Sequence, residues 1–540
     1  MNLSPSPDAE SSANRAWWGE VLLILLLCYL KAGWPPPDVN EAHYLAKARH
    51  YWDPAWCPGD FFLNSADAHQ VFYWTFGWVC TLVAFPVAAW IGRFVSWLLI
   101  AWAWQRLSWA MLPLRWAAVL SAGVMIVLTT ITHMAGEWVI GGIEAKSFAF
   151  ALVFWGLERI VRGKWASAFP ILGLAAAFHV LVGGWAVVAA LFAWSVAGPD
   201  KPRFKTLLPS LALGFAFSLW GLVPVLLLNR GVPSEVIRQA ELIYVFERLP
   251  HHLVFNQFNH GYMARHAVAI LAFGLLAAWL WRTGANARLR RLTGFVSGAV
   301  LLAVAGVVID QATLYYDELA ARLLRFYWFR LSDVFVPAGI ALLVPLALER
   351  LSLLCPSYAR VATGGVVLAT VLPLLSWNYE RQQHPFPGAV LQSWQPLGDA
   401  NTWEDLQVWY ADWLAMCDWI RDETPSDAIF LTPQAQQTFK WDAQRAEVLS
   451  IKDIPQDARG VVQWRQRRSE IYSPPVNLYG LAALSDAEIV RLANKYGASY
   501  VILEVGRYPR LPNLPRVYPP PGSWNETFSV YRIPAEGLHE

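Results

Sequence analysis

The sequence predicts an α-helical polytopic membrane protein with a small soluble α/β domain at its C-terminal end. Three observations predict it. Of 540 residues, 56% are hydrophobic and only 15% are charged, whereas a soluble domain carries about 25% charge. Apolar runs long enough to cross a hydrocarbon core of about 30 Å recur as far as Trp377. Beyond Trp377, charge and proline return and no run can span. With 42 Lys+Arg against 40 Asp+Glu, the net charge of +2 leaves no excess to draw nucleic acid. The 31 Trp and 19 Tyr suit membrane interfaces. Cys28, Cys57, Cys80, Cys355 and Cys417 are scattered without a CxxC pair, so neither a zinc site nor a disulfide framework is indicated.

In chain order, residues 1–16 are polar, rich in Ser and Pro, and read as a disordered tail. Trp17 to Trp34 reads as an uncleaved first span, since no A-x-A site follows it. Further spans are expected near 71–91, 94–112, 116–133, 146–162, 165–180, 181–197, 207–228, 266–282, 293–312, 326–348 and 360–376. That gives about 11–13 spans within a transmembrane domain 17–377, whose first outer loop is 35–70. Basic connections at Arg159–Lys164, Lys201–Lys205 and Arg282–Arg291 belong on the cytoplasmic side. They place 134–145, 229–265, 313–325 and an α/β domain over 378–540 outside. Three full spans between residues 70 and 134 would put loop 35–70 on the wrong side, so one of the three is expected not to cross. In the terminal domain 428–432 and 499–504 read as strands, 402–421 and 485–496 as helices. Ser485 and Glu488 form a capping-box pattern.

Three constellations can carry chemistry. In the first loop, Pro35-Pro-Pro ends the first span and presents Asp38, Asn40 and Glu41 at the membrane surface, with His43 and Tyr44 on the helical stretch that follows. A partly desolvated Glu41 has the basicity of a general base; alternatively it caps a surface helix. Gly141-Gly142-Ile-Glu144-Ala-Lys146 opens a span, where Lys146 and free N–H groups suit a phosphate and Glu144 reads as a cavity acid or a helix cap. His133 and Glu137 stand just before it. In the third, Arg325 and Arg330 at the outer end of a span suit phosphate, and Asp333 is either part of that site or an i, i+3 partner of Arg330. The adjacent His251 and His252 are weak metal candidates, because neighbouring side chains diverge. His179 reads as a bonded core histidine. Thr438 to Asp457 reads as a polar cluster, either a ligand loop or surface salt bridges. Neither GxGxxG, P-loop, HExxH nor GxSxG occurs with supporting context.

A first helix followed by Asp38-x-x-Glu41-Ala-x-Tyr44-x-x-x-Ala48-Arg49 and aromatic-rich helices resembles the GT-C superfamily of membrane glycosyltransferases, which includes the protein mannosyltransferases and aminoarabinose transferases. Asn40 stands where many relatives have Asp, which weakens a metal-binding pair. The Lys-Pro-Pro element of those families is replaced by Ser65-Ala-Asp67-Ala-His69. More closely, the chain resembles an uncharacterised group of bacterial, planctomycete-type multi-pass proteins that share NEAHYLAKA…WCPGDFF, GGxEAKSFA and TPxxxxTFKW.

The resemblance implies a GT-C-like fold in the bacterial inner membrane and transfer of a hexosyl or pentosyl unit, with inversion, from a polyprenyl-phosphate donor to an acceptor on the extracytoplasmic side. Glu41 and Glu144 would be catalytic. Asp38, Asn40, His43, Tyr44, Lys146, Arg325, Arg330 and Asp333 would bind substrate. A divalent metal is the one cofactor left open, and lipid bilayer and lipid-linked sugar are the expected partners, with no nucleic acid. The alternative is a non-catalytic transporter or lipid-handling scaffold that uses the same intramembrane charges.

Overall fold

The computed structural model describes residues 7–284, 286–395, 402–472, 481, 484–507 and 512–534. The first helix, Pro7–Ala32, begins well before Trp17. From Pro7 onward the stretch expected to be a disordered tail is therefore helical. Pro at a first helical position favours that start. Residues 1–6 lie outside the described residues.

Among the described residues six helices are long and apolar enough to cross a membrane: Phe85–Met111, Phe204–Leu227, His260–Gly284, Ala287–Ala312, Arg330–Leu354 and Pro356–Gln383. Ala117–Thr132, Trp165–Phe178 and Val180–Ser195 are apolar but shorter, and Ala145–Val161 packs among them. The expected pair of spans 71–91 and 94–112 is instead one. Gln70–Phe72, a wide turn at Tyr73–Gly77 and Val79–Leu82 make a broken segment, and a single helix then runs from Phe85 to Met111. The broken segment is too short, at about 1.5 Å per residue, for a core of about 30 Å. Its apolar composition serves packing over the first loop, where Phe72, Tyr73 and Phe76 are buried with Tyr44 and Ala48. Loop 35–70 and segment 134–145 accordingly meet at one end of the bundle.

The basic connections gather at the other end. Arg291 Nη1 donates to Val161 O at 3.0 Å, and a Cβ on Gly198 would collide with Arg290. Close helix contact elsewhere depends on missing side chains: a Cβ on Gly173 would lie 2.0 Å from Gly214 O, the small-residue contact typical of membrane helices.

The terminal domain carries a five-stranded sheet in the order β2-β1-β3-β5-β4, with β1 Ile429–Leu431, β2 Ala446–Glu447, β3 Tyr500–Glu504, β4 Arg516–Tyr518 and β5 Phe528–Arg532. β1 runs parallel to β2 and β3, while β5 is antiparallel to β3 and β4. Helices Trp403–Glu423 and Asp486–Tyr496 cover it, the second opened by the Ser485/Glu488 capping box. The helix Pro356–Gln383 runs through the expected domain boundary at Trp377.

Candidate functional site

The first loop is locked onto the Gly141–Gly142 segment by two carboxylates. Glu41 opens the helix Glu41–Trp52 and is fully buried. Its Oε1 accepts from Arg93 Nε at 2.6 Å and from the Ile143 N–H at 2.8 Å. Its Oε2 accepts from Arg93 Nη2 at 2.5 Å and from the Asp38 N–H at 2.7 Å. Asp38 Oδ2 accepts from the Gly142 N–H at 2.9 Å. Gly142 is required by this approach, since a Cβ there would lie 2.7 Å from Glu41 Cγ and 2.9 Å from Asp38 Cβ. Glu41, expected as a partly desolvated base or helix cap at the membrane surface, is instead fully buried, both oxygens committed to a guanidinium fork and two backbone donors. Arg93 was the residue missed. Splitting the apolar sequence into 71–91 and 94–112 put it in a connection, whereas an arginine inside one continuous span signals a buried partner.

Beyond Gly142 the chain reaches a row of alternating charges. Asn40 Nδ2 donates to Glu144 Oε1 at 3.2 Å. Lys146 Nζ lies 3.5 Å from Glu144 Oε1 and 2.7 Å from Glu137 Oε1. On the far side of Glu137, Arg330 Nε approaches Oε2 at 2.5 Å, while Arg330 Nη1 donates to His179 Nε2 at 3.0 Å. Lys146 stands 4.0 Å over the Trp138 ring and Arg330 4.0 Å over Tyr327. Tyr44 closes the row, its hydroxyl 3.3 Å from His69 Nε2. His179, expected in the core, is therefore part of this row.

Two cations share one carboxylate here. Burial pushes Glu137 up, but Arg330 and Lys146 overcome it and hold its carboxyl below the ordinary range. Glu144 goes the other way: burial raises it, and Lys146 only partly opposes. Burial, with His43 and Arg330 nearby, takes His69 down to about 4, leaving a neutral imidazole.

Asp333 is not the partner of Arg330. It is fully buried and accepts the N–H groups of Met134 at 2.7 Å, Ala135 at 2.9 Å and Glu137 at 3.3 Å. It pins the loop that carries Glu137. Arg325 also leaves the expected site, pairing with Glu241 at 2.5 Å and remaining about a third exposed. His252 Nδ1 bonds Ala135 O at 2.5 Å, with the His251 ring 4.1 Å away. Among the described residues no group of three or more His, Cys, Asp or Glu is placed to hold a metal ion.

His43 faces the terminal domain, its Nδ1 2.8 Å from Asp453 Oδ1. Asp453 Oδ2 lies 2.7 Å from Lys440 Nζ, which also pairs with Glu447 and lies 3.6 Å from Asp60 Oδ2. The Glu447 N–H donates to Asp60 Oδ2 at 3.0 Å. Lys440 and the three carboxylates around it are buried. Burial raises Glu447, while Lys440 and His43 outweigh burial at Asp453 and depress it. The polar stretch Thr438 to Asp457 is therefore an internal joint with the first loop. A separate cleft of about 270 Å³ opens beside Asp38 and Glu137, lined also by Lys31, Thr129, His133 and Trp138.

The family model of a domain of unknown function (DUF6798) matches residues 411–471, the segment that supplies Lys440, Glu447 and Asp453. No curated protein matches the chain. Among solved structures the chain is similar to the archaeal oligosaccharyltransferase AglB from Archaeoglobus fulgidus in complex with an inhibitory peptide and a dolichol-phosphate. That match has 12% identity, covers 93% of this chain and 70% of the other, and has a TM-score of 0.48. The apo form of the oligosaccharyltransferase from the same organism gives 0.44 at 12% identity over 93% and 70%. Its complex with Zn and sulfate gives 0.40 at 12% over 91% and 68%. None of these matches supports the narrower planctomycete-type grouping. At these scores the likeness supplies no residue-by-residue correspondence, and the site rests on its own geometry.

Proposed function

We propose that the chain is a GT-C-like glycosyltransferase that moves a sugar from a polyprenyl-phosphate donor to an acceptor at the outer face of a bacterial cytoplasmic membrane. One observation carries the reading: Lys146 and Arg330 flank a single carboxylate, Glu137, beside a second buried acid, Glu144, whose proton affinity is raised. Such a pocket sets two fixed cations next to a carboxylate able to take a proton, which is what phosphate departure from a glycosyl donor requires. In this reading the acceptor oxygen attacks the anomeric carbon as its proton passes to Glu144. The bond from that carbon to the phosphate oxygen breaks, and the phosphate leaves with the electron pair, held by Lys146 and Arg330. Direct attack inverts the anomeric carbon. Glu41 becomes a positioning residue, which fixes Asn40 and the Ile143–Glu144 backbone through Arg93 and Asp38. Tyr44 and Asn40 line the same pocket, while Asp333 shapes it through the loop at Met134–Glu137.

The test is sugar release from undecaprenyl-phosphate glucose and undecaprenyl-phosphate mannose by the full chain in lipid nanodiscs, with cell-envelope extract as acceptor source. Wild type is expected to release sugar, and Glu144→Gln to retain lipid binding with release lost. Wild-type binding of the lipid phosphate without release of either sugar would favour the lipid-handling alternative.

A further inference from the structure

Lys452 stands in the joint between the terminal domain and the first loop, close enough to Glu144 and Lys146 to interact with both electrostatically. Its neighbour Asp453 is anchored twice, to His43 at 2.8 Å and to Lys440 at 2.7 Å. His43 stands on the same helix as Glu41, one turn from Asn40, which bonds Glu144 at 3.2 Å. On the other side the Lys452 carbonyl accepts from Arg248 Nη2 at 3.5 Å. Arg248 ends the segment Ile243–Arg248, where Tyr244 meets the Tyr327 hydroxyl at 3.1 Å and Tyr327 carries Arg330 above its ring. Both anchors of Lys452 thus lead within a few contacts to Glu144 and Arg330.

The Lys452 ammonium makes no hydrogen bond or ion pair among the described residues, although Glu144, Lys146, Arg248 and Asp453 all act on it electrostatically. Burial, with Arg248 beside it, takes it down to about 8. A half-buried ammonium without an ion-pair partner, and with its proton affinity lowered, is only partly compensated. An anion arriving in the pocket would complete that compensation. The nearby acids are already engaged: Asp453 by His43 and Lys440, Glu144 by Asn40 and Lys146.

We infer that Lys452 is a third cationic ligand for the lipid phosphate, delivered by the terminal domain through the joint of Asp453, His43 and Lys440. This assignment rests on the proposed function. It gives the terminal domain a part in substrate binding, and it makes the pocket complete only when that domain is docked on the first loop.

The experiment measures binding of undecaprenyl phosphate to the full chain in nanodiscs, with inorganic phosphate as competitor. Lys452→Met is expected to raise Kd by about 10- to 100-fold, the loss of one charge-assisted contact, and Lys452→Arg to recover most of it. The thermal midpoint of Lys452→Met is expected to stay at or above wild type, since an uncompensated charge has been removed. Where Met disturbs folding, Lys452→Gln, of similar length and polar, gives the same comparison. Competition by millimolar inorganic phosphate would mean that the headgroup alone is recognised; absence of competition would mean that the lipid chain is needed as well, and either agrees with the role of Lys452. Wild-type affinity in Lys452→Met, with affinity lost in Arg330→Met, would overturn the assignment and leave the proposed function standing. No binding by wild type would overturn both.

Discussion

Glu41 and Arg93 form a fully buried, two-pronged ion pair between the first loop and the helix Phe85–Met111, with N···O distances of 2.6 and 2.5 Å. The pair fixes the loop that presents Asn40 to Glu144. Removing one member leaves the other charge buried without its partner, at a cost of about 3–5 kcal/mol. Arg93→Met is therefore expected to lower the thermal midpoint sharply and to expose the first loop to protease. Glu41→Gln is expected to destabilise as well, because an amide cannot serve both guanidinium contacts and both backbone donors. An unchanged midpoint in either variant would show that the pair does not hold the loop.

The partner of Arg330 is Glu137 and not Asp333. Replacing both members of a buried pair by apolar residues is often tolerated, whereas removing one is not. Arg330→Met/Glu137→Leu is expected to regain most of the stability lost by Arg330→Met, and Arg330→Met/Asp333→Leu to lose more. Three backbone donors then go unsatisfied, at about 1–3 kcal/mol each. Thermal unfolding of the three variants checks this, and rescue by the Asp333 change would contradict it.

How legible this was in the sequence depended on the distance between partners. The Ser485/Glu488 capping box is a contact across three residues, and it forms as expected. The strands near 428–432 and 499–504 also follow from local β-branched and aromatic runs. Arg330 and Asp333 misled because i, i+3 spacing implies a shared face, while at the first turn of a helix Asp333 is better used on the free N–H groups of an adjoining loop. Lys440 stood in a stretch read as a ligand loop or as surface salt bridges, because the residues that bury it, His43 and Asp60, come from the first loop, several hundred positions away. The broken segment at Gln70–Leu82 was hidden by its composition: apolarity marks burial but does not tell a span from a piece packed beneath a loop.

The joint around Lys440 makes the terminal domain sensitive to pH. Glu447 is raised above its ordinary 4.5 by burial. Its folded form holds a proton that the unfolded chain has released, so its stabilising contribution is complete below 4.5 and is lost as pH rises through the raised value. Asp453 is depressed by Lys440 and His43, so its contribution is present above its ordinary 3.8 and is lost on acidification below that. Stability of the docked domain is expected to fall from mildly acid toward neutral and alkaline pH, and Glu447→Gln to flatten that fall. Thermal midpoints between pH 5 and 8 test it; a slope unaltered in Glu447→Gln would place the titration elsewhere.

The basic connections share one end of the bundle, opposite the Asp38–Gly142 contact. A reporter fused after Gln383 is expected to behave as extracytoplasmic and one fused at Gly198 as cytoplasmic. The reverse pattern would put the pocket on the wrong face for an extracytoplasmic acceptor.

Binding of undecaprenyl phosphate to the full chain in nanodiscs, wild type against Arg330→Met/Glu137→Leu, tests the central claim most directly, because the double change keeps the fold while removing the fixed cation and its carboxylate. The account predicts saturable wild-type binding, and a Kd raised by about 10- to 100-fold in the folded double variant. Equal affinity in the two proteins would contradict a phosphate pocket at Lys146 and Arg330.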